Sequence, residues 1–253
     1  LDRDGFTAIS RYLDIGLDPN ANELACEMYR EQVARVIDDP DVADRLMPRD
    51  YPIGCKRPVI DSHYYDAFNQ DNVTLVDLRQ GGIKKISERG VETKQRSYEF
   101  DALVYATGFD AITGSFDRID ISGVKGRKLK NQWGSNLETF LAVQVLNFPN
   151  FLMVMGPQGL GGNHPRNIEY NVEWITTLIE HMRSNNLTRV EPASDSVKYW
   201  SDHVKEKSGT SLVNKVDSWM TGINSNVPSK SIRIVGGRYG GSVQSYRGLC
   251  DQI

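Results

Sequence analysis

The spacing of apolar side chains predicts four amphipathic helices along the chain. In each, apolar residues recur three or four positions apart, which places them on one face of a helix. Proline ends the first two, because its ring cannot continue the hydrogen-bond ladder of a helix. The two early helices make the beginning of the chain a small helical segment. The predicted helices cover residues 21–39, about 41–47, 168–184 and 195–207.

A second pattern, short runs rich in β-branched and aromatic residues, predicts strands between these helices. Residues 72–77, 82–86 and 90–93 are expected to form a small meander. Two continuous apolar runs, 102–106 and 148–155, are typical of strands buried on both faces of a parallel sheet. Short strands leading into buried ones, with helices on either side, indicate the α/β fold class.

Thr107 and Gly108 end the first of these apolar runs. In open α/β sheets, ligands bind beyond the carboxyl ends of the strands. Gly108 has no Cβ, so the backbone there can pass close to a cofactor. An ordinary core strand that ends in a turn has the same pattern, and both interpretations stay open.

Composition and charge narrow the class of protein. The chain has 253 residues, of which 39% are hydrophobic and 25% charged, and its net charge is −3. These values are ordinary for a globular protein and give no reason to expect nucleic acid or an anionic membrane as a partner. Its apolar runs are too short to span a membrane. Three scattered cysteines predict a reducing, cytoplasmic location without a disulfide framework or a metal site.

A loop bounded by prolines presents two adjacent cations, Lys56 and Arg57. Pro58 favours an extended backbone at Arg57, which would send the two side chains in opposite directions. A guanidinium held by a rigid loop suits an oxyanion or a phosphate. The alternative is a pair of solvated surface cations.

A glycine-rich turn lies between the second apolar run and the third predicted helix. It contains Gly156 and Gly159, and either Asn163 or Asn167 is placed to cap the helix. The free N–H groups of the first turn, with the helix dipole behind them, form a site for negative charge. The spacing only half matches the GxGxxG fingerprint, so an anion site is better supported than a nucleotide fingerprint. His164 either contacts a ligand or is a capping or surface histidine.

Two features near the end of the chain allow two interpretations each. Trp219 lies in a polar, glycine-bearing loop with Asp217 and Ser218, and it is either a lid over a ligand or a core anchor under the loop. The Gly- and Arg-rich stretch 232–248 is either disordered or a flexible cover over a site.

Several short motifs follow one another in a characteristic order: Asp18-Pro19, Leu46-Met47-Pro48, Lys56-Arg57-Pro58, Ala106-Thr107-Gly108-Phe109-Asp110, Phe148-Pro149-Asn150, Gly156-Pro157, Glu173-Trp174-Ile175 and Asp217-Ser218-Trp219. In this order they resemble the C-terminal half of a flavin-dependent Baeyer–Villiger monooxygenase of the cyclohexanone and steroid monooxygenase type. The resemblance covers nearly the whole chain. It implies a Rossmann-like flavoprotein with two dinucleotide-binding domains, which oxidises ketones to esters or lactones with NADPH and O₂.

The resemblance also assigns roles to single residues. Arg57 matches the arginine that stabilises the anionic flavin peroxide and the rearrangement intermediate. Lys56 matches a contact to the nicotinamide cofactor. Thr107, Gly108 and Asp110 match the linker where the two nucleotide domains join.

Further matches lie in the second half of the chain. Gly156, Gly159 and Asn163 match the segment under the flavin ring, where a helix dipole favours negative charge. Trp219 and Lys230 match a mobile loop that folds over NADPH. The complete enzyme is therefore expected to bind both FAD and NADPH.

The resemblance divides the chain into three parts. Residues 1–62 correspond to a helical segment with the Lys-Arg-Pro loop. Residues 63–108 correspond to part of an NADPH-binding domain. Residues 109–253 correspond to part of an FAD-binding domain with a C-terminal loop.

The family's FAD phosphate loop and its NADPH pyrophosphate motif have no match in this sequence, and two hypotheses follow. In the first, the chain is one portion of an oxygenase, and a partner chain or an N-terminal half supplies the FAD loop. In the second, it is a truncated relative without redox activity, a cofactor-free isomerase or cyclase or a binding protein for a polycyclic metabolite, with its open edges buried in a homodimer. The isolated chain is expected neither to retain FAD nor to consume NADPH.

Overall fold

The structure, a computed structural model, describes residues 12–57, 62–224, 227–228 and 230–252. Along the chain it divides into two units, Leu1–Gly108 (unit 1) and Phe109–Ile253 (unit 2). Each unit has its own hydrophobic core. The division falls between residues 108 and 109.

Unit 1 opens with two helices that begin in the same way. Helix α1 spans Pro19–Val36 and helix α2 spans Pro40–Leu46. Asp18 caps α1 and Asp39 caps α2, each carboxylate accepting hydrogen bonds from two N–H groups of the first turn. Proline at the first helical position has no N–H to leave unsatisfied, so Asp-Pro is a strong start signal. Both early helices are confirmed.

The core of unit 1 lies where α1 and α2 pack together. Val33, Ile37 and Ala43 are its buried residues. At its edge the hydroxyl groups of Tyr29 and Tyr65 lie 2.5 Å apart. Burial, followed by the hydrogen bond to Tyr29, raises the pKa of Tyr65. The helical segment therefore has its own small apolar centre.

Three short strands form an antiparallel meander in the order β1-β2-β3. Strand β1 is Ile83–Ser87, β2 is Gly90–Thr93 and β3 is Ser97–Glu99. The predicted strands at 82–86 and 90–93 are confirmed. The prediction of a strand at 72–77 is wrong. Irregular chain there leads into a 3-10 helix, Leu78–Gln80, because the Asp77 carboxylate caps that turn by accepting the amide hydrogen of Arg79.

The prediction of a buried strand at 102–106 is also wrong. Within the described structure, residues 102–111 pair with no strand, and the side chains of Val104 and Tyr105 are 86% and 65% exposed. A strand buried in a parallel sheet needs neighbours to satisfy its backbone N–H and C=O groups. The described residues supply no such neighbour. The run therefore has the composition of a core strand but lies outside a core.

Unit 2 is built mainly from helices and irregular chain. The predicted helices at 168–184 and 195–207 are confirmed, and the first begins four residues earlier than expected. The predicted strand at 148–155 is irregular chain, held instead by hydrogen bonds to the preceding loop such as Met153 N to Val143 O, 2.8 Å. The helices of unit 2 are α3 Gly114–Asp117, α4 Leu129–Ser135, α5 His164–Ser184, α6 Ser194–Gly209 and α7 Val243–Cys250.

Two hydrophobic clusters form the core of unit 2. In the first, the rings of Tyr239 and Tyr246 lie 5.2 and 5.7 Å from that of Trp200 on α6. Tyr239 and Tyr246 come from the Gly- and Arg-rich stretch, which is therefore part of the core and includes helix α7. The second cluster consists of Leu129, Trp133, Leu137, Val145, Phe148 and Met153.

The described residues thus form a mixed helix-and-sheet fold. None of the helices in the described part of the chain has both the length and the apolar composition needed to cross a bilayer.

Candidate functional site

The glycine-rich turn is organised by one fully buried polar side chain, that of Gln158, which is 0% exposed. Its amide oxygen accepts hydrogen bonds from Thr139 N at 2.9 Å and Thr139 Oγ1 at 2.8 Å. The Ser201 hydroxyl donates to the same oxygen at 3.2 Å, and the Gln158 amide nitrogen donates to Leu137 O at 3.3 Å. These bonds tie the turn to α6 and to the loop after α4. Gln158 also has a left-handed backbone, with φ 68°.

Close packing of the backbone explains why glycine occupies the two predicted positions of this turn. A Cβ on Gly156 would lie 2.4 Å from the carbonyl oxygen of Ala142, and one on Gly159 would lie 2.9 Å from that of Gly156. Both distances are too short for a side chain, so the backbone itself requires glycine at these positions. The turn is therefore fixed in position by its neighbours.

The first turn of α5 follows directly. Asn163 is its cap, with its side-chain oxygen accepting from Arg166 N at 3.2 Å. Asn167, the alternative cap, donates to Gly161 O at 3.0 Å and so closes the loop before the helix. His164 is the first helical residue and is exposed. Residues 163–166 of this first turn are exposed. The anion site there stays a prediction.

A chain of buried hydrogen bonds through Asn171 on α5 and Tyr246 on α7 also holds the glycine-rich turn. The Asn171 side chain accepts a hydrogen bond from Met155 N at 3.1 Å and donates to the Tyr246 hydroxyl at 3.2 Å. That hydroxyl donates to Leu141 O at 2.7 Å. Burial, the largest cause, raises the pKa of Tyr246. The phenol therefore stays protonated and keeps its role as donor.

Trp219 lies on a short turn that its neighbours hold in place. The turn is a 3-10 helix, Trp219–Thr221, closed by a reciprocal cap between Ser218 and Thr221. Thr221 O also accepts from Ile234 N at 2.9 Å. The side chain of Trp219 is 41% exposed. Of the two interpretations, the core anchor does not fit this exposure, and Trp219 is presented at the surface of unit 2.

Lys230 and Asp110, two of the predicted residues, lie together in unit 2. The Lys230 ammonium is 2.5 Å from Asp117 Oδ2, hydrogen bonds to Thr113 Oγ1, and lies 3.8 Å from Asp110 Oδ1. Lys230 is 8% exposed. Asp110 Oδ1 is buried without a hydrogen-bond partner in the described structure. Lys230 therefore anchors its loop to the segment after Gly108, and its ammonium is occupied within the unit.

The cationic loop belongs to unit 1. Cys55 is buried, and burial raises the pKa of its thiol to about 11. The Lys56 ammonium lies 4.1 Å from the centre of the Tyr51 ring, which holds that side chain by a cation–π contact. Arg57 is exposed. The predicted effect of Pro58 on Arg57 lies outside the described residues.

Thr107 and Gly108 end unit 1 and are both exposed. Gly108 has φ 88°, in the left-handed region, so glycine is required here for the backbone conformation. The structure thus brings Gly156, Gly159 and Asn163 together in one turn, and Asp110 and Lys230 in one ion-pair cluster. Lys56, Arg57, Thr107 and Gly108 lie in the other unit.

Sequence reasoning missed several residues that build the site, namely Thr139, Gln158, Asn171 and Asp117. All are polar and lie in segments that look like loops or exposed helix faces. One signal was usable. Gln158 lies in a tight turn between Gly156 and Gly159, where its long side chain has to be either packed against neighbouring groups or exposed to water. Nothing in the sequence pairs Lys230 with Asp117.

No protein-family model matches the chain. The cyclopentanone 1,2-monooxygenase of Comamonas sp. (strain NCIMB 9872) is 37% identical over 228 residues, which are 88% of this chain and 41% of that protein. A Baeyer-Villiger monooxygenase of Pseudooceanicola batsensis is 31% identical over 243 residues, 96% of this chain and 44% of that protein.

Solved structures agree with these relatives. A closed crystal structure of cyclohexanone monooxygenase matches 94% of this chain and 44% of its own with a TM-score of 0.87 and 36% identity. A crystal structure of OTEMO in complex with FAD and NADP matches 95% and 44% with a TM-score of 0.84 and 30% identity. The chain spans less than half the length of the relatives it matches.

In both sequence and fold, most of this chain is similar to part of known monooxygenases. The enzymes it matches include Baeyer–Villiger monooxygenases, and the match is to the C-terminal part of their fold. The resemblance inferred from the motif order is confirmed.

Proposed function

We propose that this chain forms the C-terminal portion of a Baeyer–Villiger monooxygenase. The complete enzyme would convert a ketone, O₂, NADPH and a proton into an ester or lactone, NADP⁺ and water. The observation that carries the proposal is the extent of the match: 94–95% of the chain follows the fold of cyclohexanone and steroid monooxygenases at 34–36% identity.

The residues of unit 2 fit a flavin. The buried Asp110 oxygen without a hydrogen-bond partner and the open first turn of α5 are features that a bound polar group would satisfy. Gly156, Gly159 and Asn163 would hold its ring, and the dipole of α5 favours negative charge there. FAD, when bound, supplies the redox chemistry between NADPH, O₂ and the ketone.

The chain's own cations have separate roles in this proposal. Arg57, a permanent cation, stabilises the oxyanion that develops as the ketone carbonyl is attacked, an effect that is strongest where water is excluded. Lys56, held against Tyr51, contacts the nicotinamide cofactor. Trp219 covers that cofactor from its capped turn. Lys230 acts indirectly, because its ammonium pairs with Asp117 and fixes the base of the same loop.

The linker residues complete the proposal. Thr107 and Gly108 end unit 1, and Asp110 begins unit 2 next to the Lys230 anchor. The left-handed Gly108 would set the chain direction where the two nucleotide domains join. In this scheme 1–62 is the helical and Lys-Arg-Pro segment, 63–108 belongs to the NADPH domain and 109–253 to the FAD domain.

The alternative, a truncated relative that works without cofactor, is less well supported. A chain that works alone would be expected to cover the side chains of Val104, Tyr105 and Phe109, which are 86%, 65% and 83% exposed. Their exposure favours a partner segment that supplies the neighbouring strands. A homodimer that covers them would support the alternative, and sedimentation of the isolated chain tests this.

The central experiment is reconstitution. The chain alone is expected to purify without FAD and to leave NADPH unconsumed. Co-expressed with the N-terminal portion of a relative such as cyclohexanone monooxygenase, it is expected to bind FAD and oxidise NADPH in a ketone-dependent manner. A flavin spectrum from the chain alone, or no FAD binding by a stable complex of the two portions, would contradict the proposal.

Arg57 is tested in the reconstituted enzyme. Arg57→Ala should lower ester formation by about 100-fold or more, the cost of losing a group that stabilises an oxyanion. Flavin reduction by NADPH should change little. Arg127→Ala, which removes an exposed arginine of unit 2, is the matched control. Unchanged ester formation by the Arg57 variant would remove this residue from the mechanism.

A further inference from the structure

Unit 2 contains a cavity of about 290 Å³ to which the proposed monooxygenase function assigns no ligand. It lies between α4, α6 and the segment 230–235, all within the same unit. Its lining divides into a cationic part and an apolar part. This division indicates what the cavity binds.

Four cationic side chains line the cavity, and two of them are neutralised. Lys230 pairs with Asp117 at 2.5 Å, and the Arg233 Nε atom lies 2.5 Å from Asp217 Oδ1. Asp117, the single acidic residue in the described lining, is therefore already used by Lys230. The remaining positive charge of the cavity comes from the other two cations.

Those two cations are Lys130 on α4 and Lys205 on α6. Among the described residues, neither has a carboxylate oxygen within 4.0 Å of its ammonium. Asp202, one turn before Lys205, is bonded to Lys198 at 2.5 Å instead. The stem of Lys205 packs along buried Gly236, where a Cβ would lie 3.1 Å from its Cγ atom. This packing restricts the ammonium of Lys205 to the neighbourhood of the cavity.

The other part of the lining is apolar. Trp133 and Leu137 are 6% and 8% exposed and belong to the second core cluster. Ile232 and Val235, on the facing segment, are 79% and 50% exposed. Exposed apolar side chains are costly to leave in water, and the neighbouring ammonium groups attract an anion. A ligand with one charged end and an apolar body would satisfy both parts at once.

We propose that this cavity binds a small organic anion with an apolar body, namely a monocarboxylate of about ten non-hydrogen atoms. An apolar cavity of about 150 Å³ accommodates benzene, so about twice that volume accommodates such a molecule. The carboxylate would lie between Lys130 and Lys205, and the hydrocarbon would cover the exposed side chains of Ile232 and Val235. Inorganic phosphate fits less well, because it would leave the apolar wall in water.

Calorimetric titration of the full 253-residue chain tests this class of ligand with three probes: octanoate, 1-octanol and inorganic phosphate. Octanoate is expected to bind with a Kd at least tenfold lower than that of either other probe. Equal affinity for octanoate and octanol would overturn the proposal, since the charge would then contribute nothing. Phosphate binding as tightly as octanoate would overturn it too, since the apolar wall would then contribute nothing.

A pair of variants locates the binding site. The double variant Lys130→Gln with Lys205→Gln should raise the Kd of octanoate at least tenfold, to about that of octanol. Lys207→Gln is the matched control, because Lys207 lies on the same helix, α6, and does not line the cavity. All variants should keep the circular dichroism of the unmodified chain. Ile232→Asp, a change at an exposed position of the lining, should also abolish octanoate binding. Unchanged octanoate affinity in the double variant, or in Ile232→Asp, would exclude the cavity as the site.

Discussion

Two stretches of this chain carry the same pattern, an apolar run that ends in glycine, but they differ in hydrogen bonding and burial. In residues 152–156 the backbone amides of Met153, Met155 and Gly156 bond to neighbouring groups, and Met153 is 3% exposed. In residues 103–108 no backbone hydrogen bond to another described residue occurs, and Val104 is 86% exposed. The local sequence does not explain this difference.

The two runs differ in the hydrogen-bonding groups that surround them. The later run is surrounded by groups of its own unit, the carbonyls of Ala142 and Val143 and the side chain of Asn171. The earlier run has none among the described residues, although its composition suits a buried strand. A run of apolar residues therefore indicates which segment of a chain needs to be buried. It does not indicate whether the groups that bury it belong to the same stretch of sequence.

The largest effect on stability is expected at Gln158. Gln158→Ala removes four side-chain hydrogen bonds and leaves the Thr139 N–H and Leu137 C=O groups buried without partners. Together with the cavity left behind, this should lower the free energy of unfolding by about 3–5 kcal/mol. Urea unfolding followed by Trp fluorescence measures it. Gln244→Ala, at an exposed position of α7, is the control and should change the value by less than about 0.5 kcal/mol. A loss of similar size in both variants would contradict the role of Gln158.

A somewhat smaller loss is expected at the Lys230 anchor. Lys230→Met leaves the Asp117 carboxylate, 18% exposed, and the Asp110 carboxylate, 11% exposed, without their cation. Removing one partner of this partly buried ion pair should cost about 3 kcal/mol, because the remaining charge stays desolvated. Adding Asp117→Asn should restore part of that stability. The two residues are not coupled if Asp117→Asn lowers the unfolding free energy of the Lys230→Met variant by as much as it lowers that of the unmodified chain.

A third prediction uses pH. Burial, with a smaller contribution from the charge of Asp251, raises the pKa of Cys250 to about 11 from an ordinary value of 9.0. The folded state therefore favours the neutral thiol. Its stabilising contribution is complete below pH 9 and is lost as the pH rises towards 11.

The measurement is urea unfolding at pH 8 and pH 10. Between these values the unmodified chain should lose roughly 1 kcal/mol more stability than Cys250→Ala, because the variant has no thiol to titrate. Cys26→Ala keeps Cys250 and serves as the control. The same loss in Cys250→Ala as in the unmodified chain would assign the pH dependence to other groups.

The sequence separation between contacting residues explains how far the sequence predicts the structure. Helices α1 and α2 were predictable because their start signals, Asp18-Pro19 and Asp39-Pro40, act within one turn. The cap of α5 at Asn163 was predictable for the same reason, although Asn167 was an equal candidate. Information carried within a few residues is visible in a single sequence.

The missed features depend on distant partners. Gln158 bonds to Thr139 and Ser201, which lie 19 and 43 residues away, and Lys230 bonds to Asp117 at a separation of 113 residues. No local pattern records such pairs. The order of motifs along the chain predicted the resemblance to Baeyer–Villiger monooxygenases, because that order reflects the whole fold and does not depend on single contacts.

The smallest expected effect tests the difference between the two apolar runs, 103–108 and 152–156, most directly. Val104→Ser should change the unfolding free energy of the isolated chain by less than about 0.5 kcal/mol, because its side chain is already 86% exposed. In the enzyme reconstituted with an N-terminal portion, the same change should weaken assembly by about 1–2 kcal/mol if Val104 becomes buried between strands. Thr74→Ser, at an exposed position of unit 1 within the irregular chain before Leu78–Gln80, is the control and should have no effect in either state. Titration of the N-terminal portion into each variant measures the difference. Equal affinity for the unmodified chain and the Val104 variant would mean that this apolar run stays uncovered in the complex, and that its strand-like composition has another cause.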